Sequence, residues 1–100
     1  MKEIEFRAGV LLEALGEPIR FQIIRYLQSR PRSVSELSRL TKRHQTTVCQ
    51  HLAVLRKLNV VRYHNRNRFT FYEIKLADAP ALLDFAVRCA RATRGPDESA

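Results

Sequence analysis

Five residues near the middle of the chain, Gln45, Thr46, Thr47, Cys49 and Gln50, are small or amide-bearing, uncharged, and able to donate and accept hydrogen bonds. Such groups read base edges in a DNA major groove, where glutamine is a recognised partner of adenine. Lys42 and Arg43 just before them, and Lys57, Arg66 and Arg68 after them, are suited to phosphate oxygens. The chemistry on offer is non-covalent recognition of a polyanion. Catalysis is not expected. The three glycines, Gly9, Gly16 and Gly95, build no phosphate-cradling loop, and no nucleophile–base pattern is present. Cys49 and Cys89 form neither a CxxC pair nor a disulfide framework, so no metal and no cofactor is expected.

The charge distribution points the same way. Residues 37–72 contain no aspartate or glutamate, and are flanked by Glu36 and Glu73. That window holds eight Lys/Arg (Arg39, Lys42, Arg43, Arg56, Lys57, Arg62, Arg66, Arg68) and all three histidines, His44, His51 and His64. Elsewhere ten basic side chains face ten acidic ones, so the whole formal charge of +8 falls inside the window. Charge this segregated is the footprint of a polyanion-binding face. A solvated cationic face without a partner is the plainer alternative.

One hundred residues with 45% apolar content imply one domain with a modest core. The domain is expected over residues 1–92, with a disordered tail over 93–100. There is no run of 18 apolar residues for a membrane span and no apolar signal core, and the sparse cysteines suit a reducing cytoplasm.

The elements that must position the recognition residues follow from periodicity. Residues 3–15 read as a helix with Ile4, Ala8, Leu11, Leu12 and Leu15 on one face and Phe6 and Val10 nearly opposite. Gly16 ends it, and Glu17-Pro18 opens the next, whose core stripe is Phe21, Ile24 and Leu27 with Ile23 and Tyr26 beside it. Arg20, Gln22, Arg25 and Gln28 form its wet side. Ser33 through Glu36 form a capping box, in which Ser33 accepts from the Glu36 N–H and Glu36 returns the bond. A short helix follows, placing Leu37 and Leu40 inward. After the polar turn Lys42-Arg43-His44 a further helix covers residues 45–58. Two helices joined by so short a turn are a helix-turn-helix.

On that last helix, at about 100° per residue, Val48, Leu52 and Leu55 face the core. Thr46, Gln50, Ala53 and Lys57 lie opposite, with Cys49 on one flank and Thr47 and Val54 on the other. His51 turns nearer the core than the groove. Residues 60–64 and 69–74 read as paired strands, joined by Asn65-Arg66-Asn67-Arg68, whose asparagines tolerate positive φ. A hairpin with a basic tip directly after a recognition helix is a wing, to which His64, Asn65 and Asn67 are assigned. A final helix over 81–92 carries Leu82, Phe85, Ala86 and Cys89 on a broad apolar face. With Phe6 and Val10 of the first helix, this face is the expected dimer interface. The fold class is mainly α with a small antiparallel β-hairpin, a winged helix-turn-helix of order α-α-α-α-β-β-α.

This order, with the stretch Thr46-Thr47-Val48-Cys49-Gln50-His51-Leu52-Ala53-Val54-Leu55-Arg56, resembles the ArsR/SmtB family of bacterial winged-helix repressors. Leu15-Gly16-Glu17-Pro18-Ile19-Arg20 is similar to the family's opening of the second helix, and the strand end Phe71-Tyr72-Glu73-Ile74 supports the match. The resemblance spans about residues 8–92. It implies a homodimer through the first and last helices, a double-stranded DNA operator as partner, repression, and release by an inducer. The family's third-helix metal site uses Cys-x-Cys, where this chain has Ser35-Glu36-Leu37-Ser38-Arg39. The last-helix site uses Asp and His pairs, where Asp84 has no histidine near it. Neither usual site can be assembled. The position of Cys49 is commonly serine in the family, which leaves two readings: a tolerant small contact, or a thiol whose oxidation lowers DNA affinity. Cys89 is read as packing, too far from Cys49 to bond it within one subunit. A winged-helix module whose basic face binds an acidic protein is the alternative function. Salt dependence and site preference separate it from DNA binding.

Overall fold

The computed structural model describes residues 1–95. Residues 96–100, most of the tail expected to be disordered, lie outside the described residues. The elements are α1 (Glu3–Gly16), α2 (Pro18–Ser29), α3 (Val34–Thr41), α4 (Gln45–Lys57), β1 (Val61–Arg66), β2 (Phe69–Ile74) and α5 (Ala79–Arg91). This is the winged helix-turn-helix order.

The local signals behind the helices are visible in their caps. Glu17 accepts from the Arg20 N–H at 2.9 Å with Pro18 in the first turn of α2. Ser33 accepts from the Glu36 N–H at 3.1 Å at the start of α3. The return bond of the capping box is not made. The Glu36 carboxylate is drawn instead to the guanidinium groups of Arg30 and Arg32, because a charge-assisted pair is stronger than a bond to a neutral amide. Lys42 closes α3 in the left-handed region at φ 57°. Asn59 does the same after α4 at φ 62°, while the Val60 N–H reaches back to the Leu55 carbonyl at 2.9 Å.

Helix α2 is the hub, touching α1, α3, α4, α5 and β2. Its buried side is wider than the expected stripe. Ile19, Ile23, Ile24 and Leu27 are inside and Phe21 and Tyr26 stand at the rim, because partners approach from several directions. Arg20 and Arg25, expected on the wet side, are half-buried. Arg25 pairs with Asp84 of α5 at 2.6 Å. Leu37, Val48, Leu52, Leu55, Val60, Val61, Ala79 and Leu83 complete the core. On α1 only Ala14 and Leu15 are buried and Leu11 is packed in part. Ile4, Ala8 and Leu12, placed by spacing on one face with Leu11 and Leu15, are exposed, since α2 is the main neighbour α1 has in the protomer.

The hairpin is longer than expected and its turn tighter. Antiparallel pairing runs from Val61↔Ile74 to Arg66↔Phe69, so Asn65 and Arg66 belong to β1 and not to the loop. Only Asn67 and Arg68 make the turn, at φ 52° and 70°. Two successive left-handed residues match the right-handed twist of the strands. A further link was not legible in the sequence. Arg32, from the α2–α3 connection, forms an antiparallel bridge with Tyr72, with N–O distances of 3.0 and 2.8 Å. The wing is therefore pinned to the segment that precedes the helix-turn-helix.

Candidate nucleic-acid interface

Buried Val48, Leu52 and Leu55 fix the rotation of α4, since one apolar stripe anchors a helix about its own axis. The opposite face then has to point outward. Gln45, Thr46, Cys49, Gln50, Ala53 and Lys57 are all exposed. Thr47 is half-buried, so of the five expected reading residues it is the one turned toward the domain. Lys42 and Arg43 are exposed in the turn just before α4. The Ser38 hydroxyl donates to the Arg43 carbonyl at 2.5 Å, and the Arg43 N–H donates to the Ser38 carbonyl at 3.2 Å, which holds the turn closed. The first turn of α4 contains no acidic residue, leaving its N-terminal N–H groups unopposed.

His51 joins the recognition helix to the start of α2. Its Nδ1 lies 3.6 Å from Glu17 Oε2 and 3.3 Å from Arg20 Nη1. Arg20 in turn donates from Nε to the Ala14 carbonyl at 2.7 Å. This junction fixes α4 at a second point besides its apolar stripe. Partial burial raises the Glu17 carboxyl. The backbone N–H groups of Arg20 and Ile19, together with the charges of His51 and Arg20, outweigh that and hold it below the usual carboxylate range.

The wing presents two different faces. Val61, Tyr63, Tyr72 and Ile74 turn toward α4, with the Tyr63 and Tyr72 rings 5.8 Å apart and the Arg56 guanidinium 5.2 Å from the Tyr63 ring centre. Burial pushes the Tyr72 phenol above its ordinary value, and the nearby Cys49 thiol acts in the same direction against Arg56. Cys49 therefore sits on the wing-facing flank of α4. Arg62, His64, Arg66, Phe69 and Phe71 occupy the far face. Arg66 and Arg68, expected to act together, are thus separated: Arg68 is at the tip and Arg66 faces away from α4. Asn65 accepts from the Thr70 hydroxyl at 2.8 Å, Asn67 shapes the turn, and His64 is half-buried 3.8 Å from Glu73. Tyr63 is not a candidate from sequence alone, since only pairing register shows that it shares the recognition-helix side, where Arg56 of α4 lies over its ring.

The expected dimer residues Phe6, Val10, Phe85, Ala86 and Cys89 are exposed and Leu82 is half-buried. Leu83 and Ala79, not the Leu82–Phe85 face, supply the core contact of α5. Cys89, expected to be packed, is an exposed thiol in the protomer, as is Cys49. Among the described residues no three His, Cys, Asp or Glu side chains gather into a metal-binding group. Among the described residues no helix is long and apolar enough to cross a membrane.

Glu36 is the acidic keystone beneath the helix-turn-helix. The hydrogen bond from Arg30 is the main cause of its lowered carboxyl pKa; burial opposes, and the Arg30 charge, Arg32 and the Ser33 cap add to it. A carboxylate with a depressed folded-state pKa contributes stability that is present above about pH 4.3, its ordinary value, and lost as pH falls through the folded value. Glu36→Gln should cost roughly 1–2 kcal/mol at pH 7. It should also flatten the fall in stability as pH drops below about 5. Urea titrations of both proteins at several pH values measure this; parallel pH profiles would rule out the role given to Glu36.

The comparisons agree with this geometry. Residues 17–63 match the model of the bacterial regulatory protein arsR family. The transcriptional activator HlyU of Vibrio cholerae is 31% identical over 88 residues, spanning 88% of this chain and 82% of that protein. Its solved structure superposes with a TM-score of 0.79 at 30% identity, covering 91% of this chain and 99% of that one. The HTH-type transcriptional repressor SmtB of Mycobacterium tuberculosis is 38% identical over 77 residues, 77% of this chain, which spans just over half (56%) of that protein. The homodimeric winged helix-turn-helix DNA-binding domain Mb0332 of Mycobacterium bovis shares the fold, with a TM-score of 0.78 at 22% identity over 88% of this chain and 82% of that one. The chain belongs to the ArsR family of bacterial regulatory proteins: it is a winged helix-turn-helix transcriptional regulator and not an enzyme.

Proposed function

We propose that this chain is a homodimeric, sequence-specific repressor that acts in the cytoplasm on a double-stranded operator and is released by a signal outside the family's usual metal sites. Base readout falls to Gln45, Thr46, Thr47, Cys49 and Gln50. Phosphate positioning falls to Lys42, Arg43, Lys57 and Arg68, with Arg66 reaching the backbone only around the edge of the wing. The observation that carries this reading is the outer face of α4, acid-free throughout and uncharged in its N-terminal half, bordered by exposed cations on the preceding turn, at the end of the helix and on the wing. A second observation supports the wing contact. Arg68 holds φ 70°, where glycine would avoid a cost of about 1–2 kcal/mol. A basic side chain kept at a strained tip is consistent with a use for its charge. Dimerisation is supported by the exposed apolar residues of α1 and α5, and the shared fold is homodimeric in the Mycobacterium bovis protein. SmtB is named a repressor and HlyU an activator, so the direction of control is tested directly.

The experiment is binding to the DNA upstream of the chain's own gene beside a scrambled duplex, with and without thiol reductant, paired with a reporter driven by that DNA. Preference for the native duplex with lower reporter output supports repression. Equal binding to both duplexes would shift the weight to an acidic protein partner. Preference only with reductant would assign the signal to Cys49.

Helix and wing should separate on mutation. Gln50→Ala should lower discrimination between operator and scrambled DNA by about 1–3 kcal/mol and leave non-specific affinity nearly unchanged. Arg68→Ala should weaken binding to all sequences and reduce the salt slope by about one, with Arg66→Ala changing it less. If Gln50→Ala and Arg68→Ala give the same profile, the division of labour between helix and wing is wrong.

A further inference from the structure

The far face of the wing borders a cleft that the DNA-binding reading, apart from Arg66 at its edge, leaves unused. Strand alternation places His64, Arg66, Phe69 and Phe71 on the side turned away from α4. Arg30 and Pro31, from the connection held by the Arg32–Tyr72 bridge, stand beside them. Together they bound a space of about 510 Å³, within the range of small-molecule sites. Its apolar walls are flat. Phe71 is half-buried under the His64 ring, with centroids 5.9 Å apart and planes at 27°, and Phe69 is 64% exposed. A phenylalanine this open on a short hairpin has no partner in the protomer core.

The charges around the cleft do not balance. Glu36 is shared by Arg30 and Arg32, and Glu73 is held by Arg62 at 2.6 Å with His64 3.8 Å away. Arg66 makes no ion pair among the described residues. Four guanidinium groups thus face two carboxylates, and no acid is left over to attract a cation. A guanidinium fork matches a carboxylate geometrically, and flat aromatic walls favour a flat ring at offset-stacking distance.

We propose that this cleft binds a small planar aromatic carboxylate, its ring against Phe69 and Phe71 and its carboxylate on Arg66. The ligand would touch both the wing and the α2–α3 connection. Its effect on DNA, which rests on the regulator reading above, would be to favour one setting of the wing relative to α4. Binding itself needs no DNA, so it can fail while operator recognition stands, and the reverse.

The test is calorimetric titration of the whole chain with 2-naphthoate, cyclohexanecarboxylate and 2-naphthylmethanol. The second probe keeps the charge without the aromatic ring, and the third keeps the ring without the charge. The expected result is one 2-naphthoate per protomer, bound at least about tenfold more tightly than either control. Arg66→Gln and Phe69→Ala, both at exposed positions, should each weaken it about tenfold while circular dichroism stays unchanged. Equal affinity for all three probes, no saturable binding, or unaltered affinity in both variants would overturn the proposal. One-for-one displacement of 2-naphthoate by duplexes of any sequence would also overturn it, assigning the cleft to the DNA interface.

Discussion

Replacing Phe85 by aspartate should convert the protein to monomers and lower operator affinity by roughly 10²–10⁴-fold, the contribution of linking two half-site contacts. Phe85 is 56% exposed on α5, outside the contact that Ala79 and Leu83 make with the core. The Arg88 guanidinium lies 5.3 Å from its ring centre. In a two-fold interface the same side chain is used twice. Each phenylalanine removed from water contributes about 1.5–3 kcal/mol, and a carboxylate placed there would be desolvated without a partner. The protomer fold should survive, because no core contact is lost. Sedimentation equilibrium reads the assembly, fluorescence anisotropy the affinity, and circular dichroism the fold. A variant that remains dimeric would remove α5 from the interface and leave the exposed apolar residues of α1 to account for it.

The second large effect lies on the other side of the recognition helix. Leu52 is fully buried, so Leu52→Ala should cost about 2–5 kcal/mol through lost burial and the cavity it leaves. Against a total of about 5–15 kcal/mol, that is a large share of the stability of a domain this size. The melting temperature should fall by roughly 8–40 °C, at about 4–8 °C per kcal/mol. Gln50→Ala, two residues away on the exposed face, should stay within about 0.5 kcal/mol of the parent. The two substitutions on one helix therefore separate folding from reading. Thermal melts followed at a helical wavelength measure both. A Leu52→Ala melt close to that of the parent would mean that α4 is not anchored through its apolar stripe.

The glutamate network predicts a further contrast. Glu17 and Glu36 both hold lowered pKa values, and both act on the helix-turn-helix, one through the His51 junction and one through Arg30 and Arg32. Acid should therefore loosen the DNA-binding unit by protonating partners that lie outside the DNA face itself.

What the sequence determined by itself was whatever depends on neighbours a few positions away. The spacing of Val48, Leu52 and Leu55 set the buried side of α4 and hence which residues point outward. Pro18 and Ser33 marked the helix starts, and the acid-free window marked the charged face. These are local or compositional properties, and they sufficed for the helix-turn-helix, the hairpin and the likeness to the ArsR family. Tertiary structure decided the rest, because each point depends on contacts between distant segments. Pairing with Thr70 and Phe69 drew Asn65 and Arg66 out of the turn and left Asn67 and Arg68 to make it. That register placed Arg66 on the far face of the wing, away from its expected companion Arg68. Arg30 and Arg32, beside the α2–α3 connection, drew Glu36 from the cap of its own helix into ion pairs. Which apolar stripe of α1 and α5 met the core was also undecidable from periodicity: a helix with several apolar faces shows what can be buried, and only its neighbours choose what is.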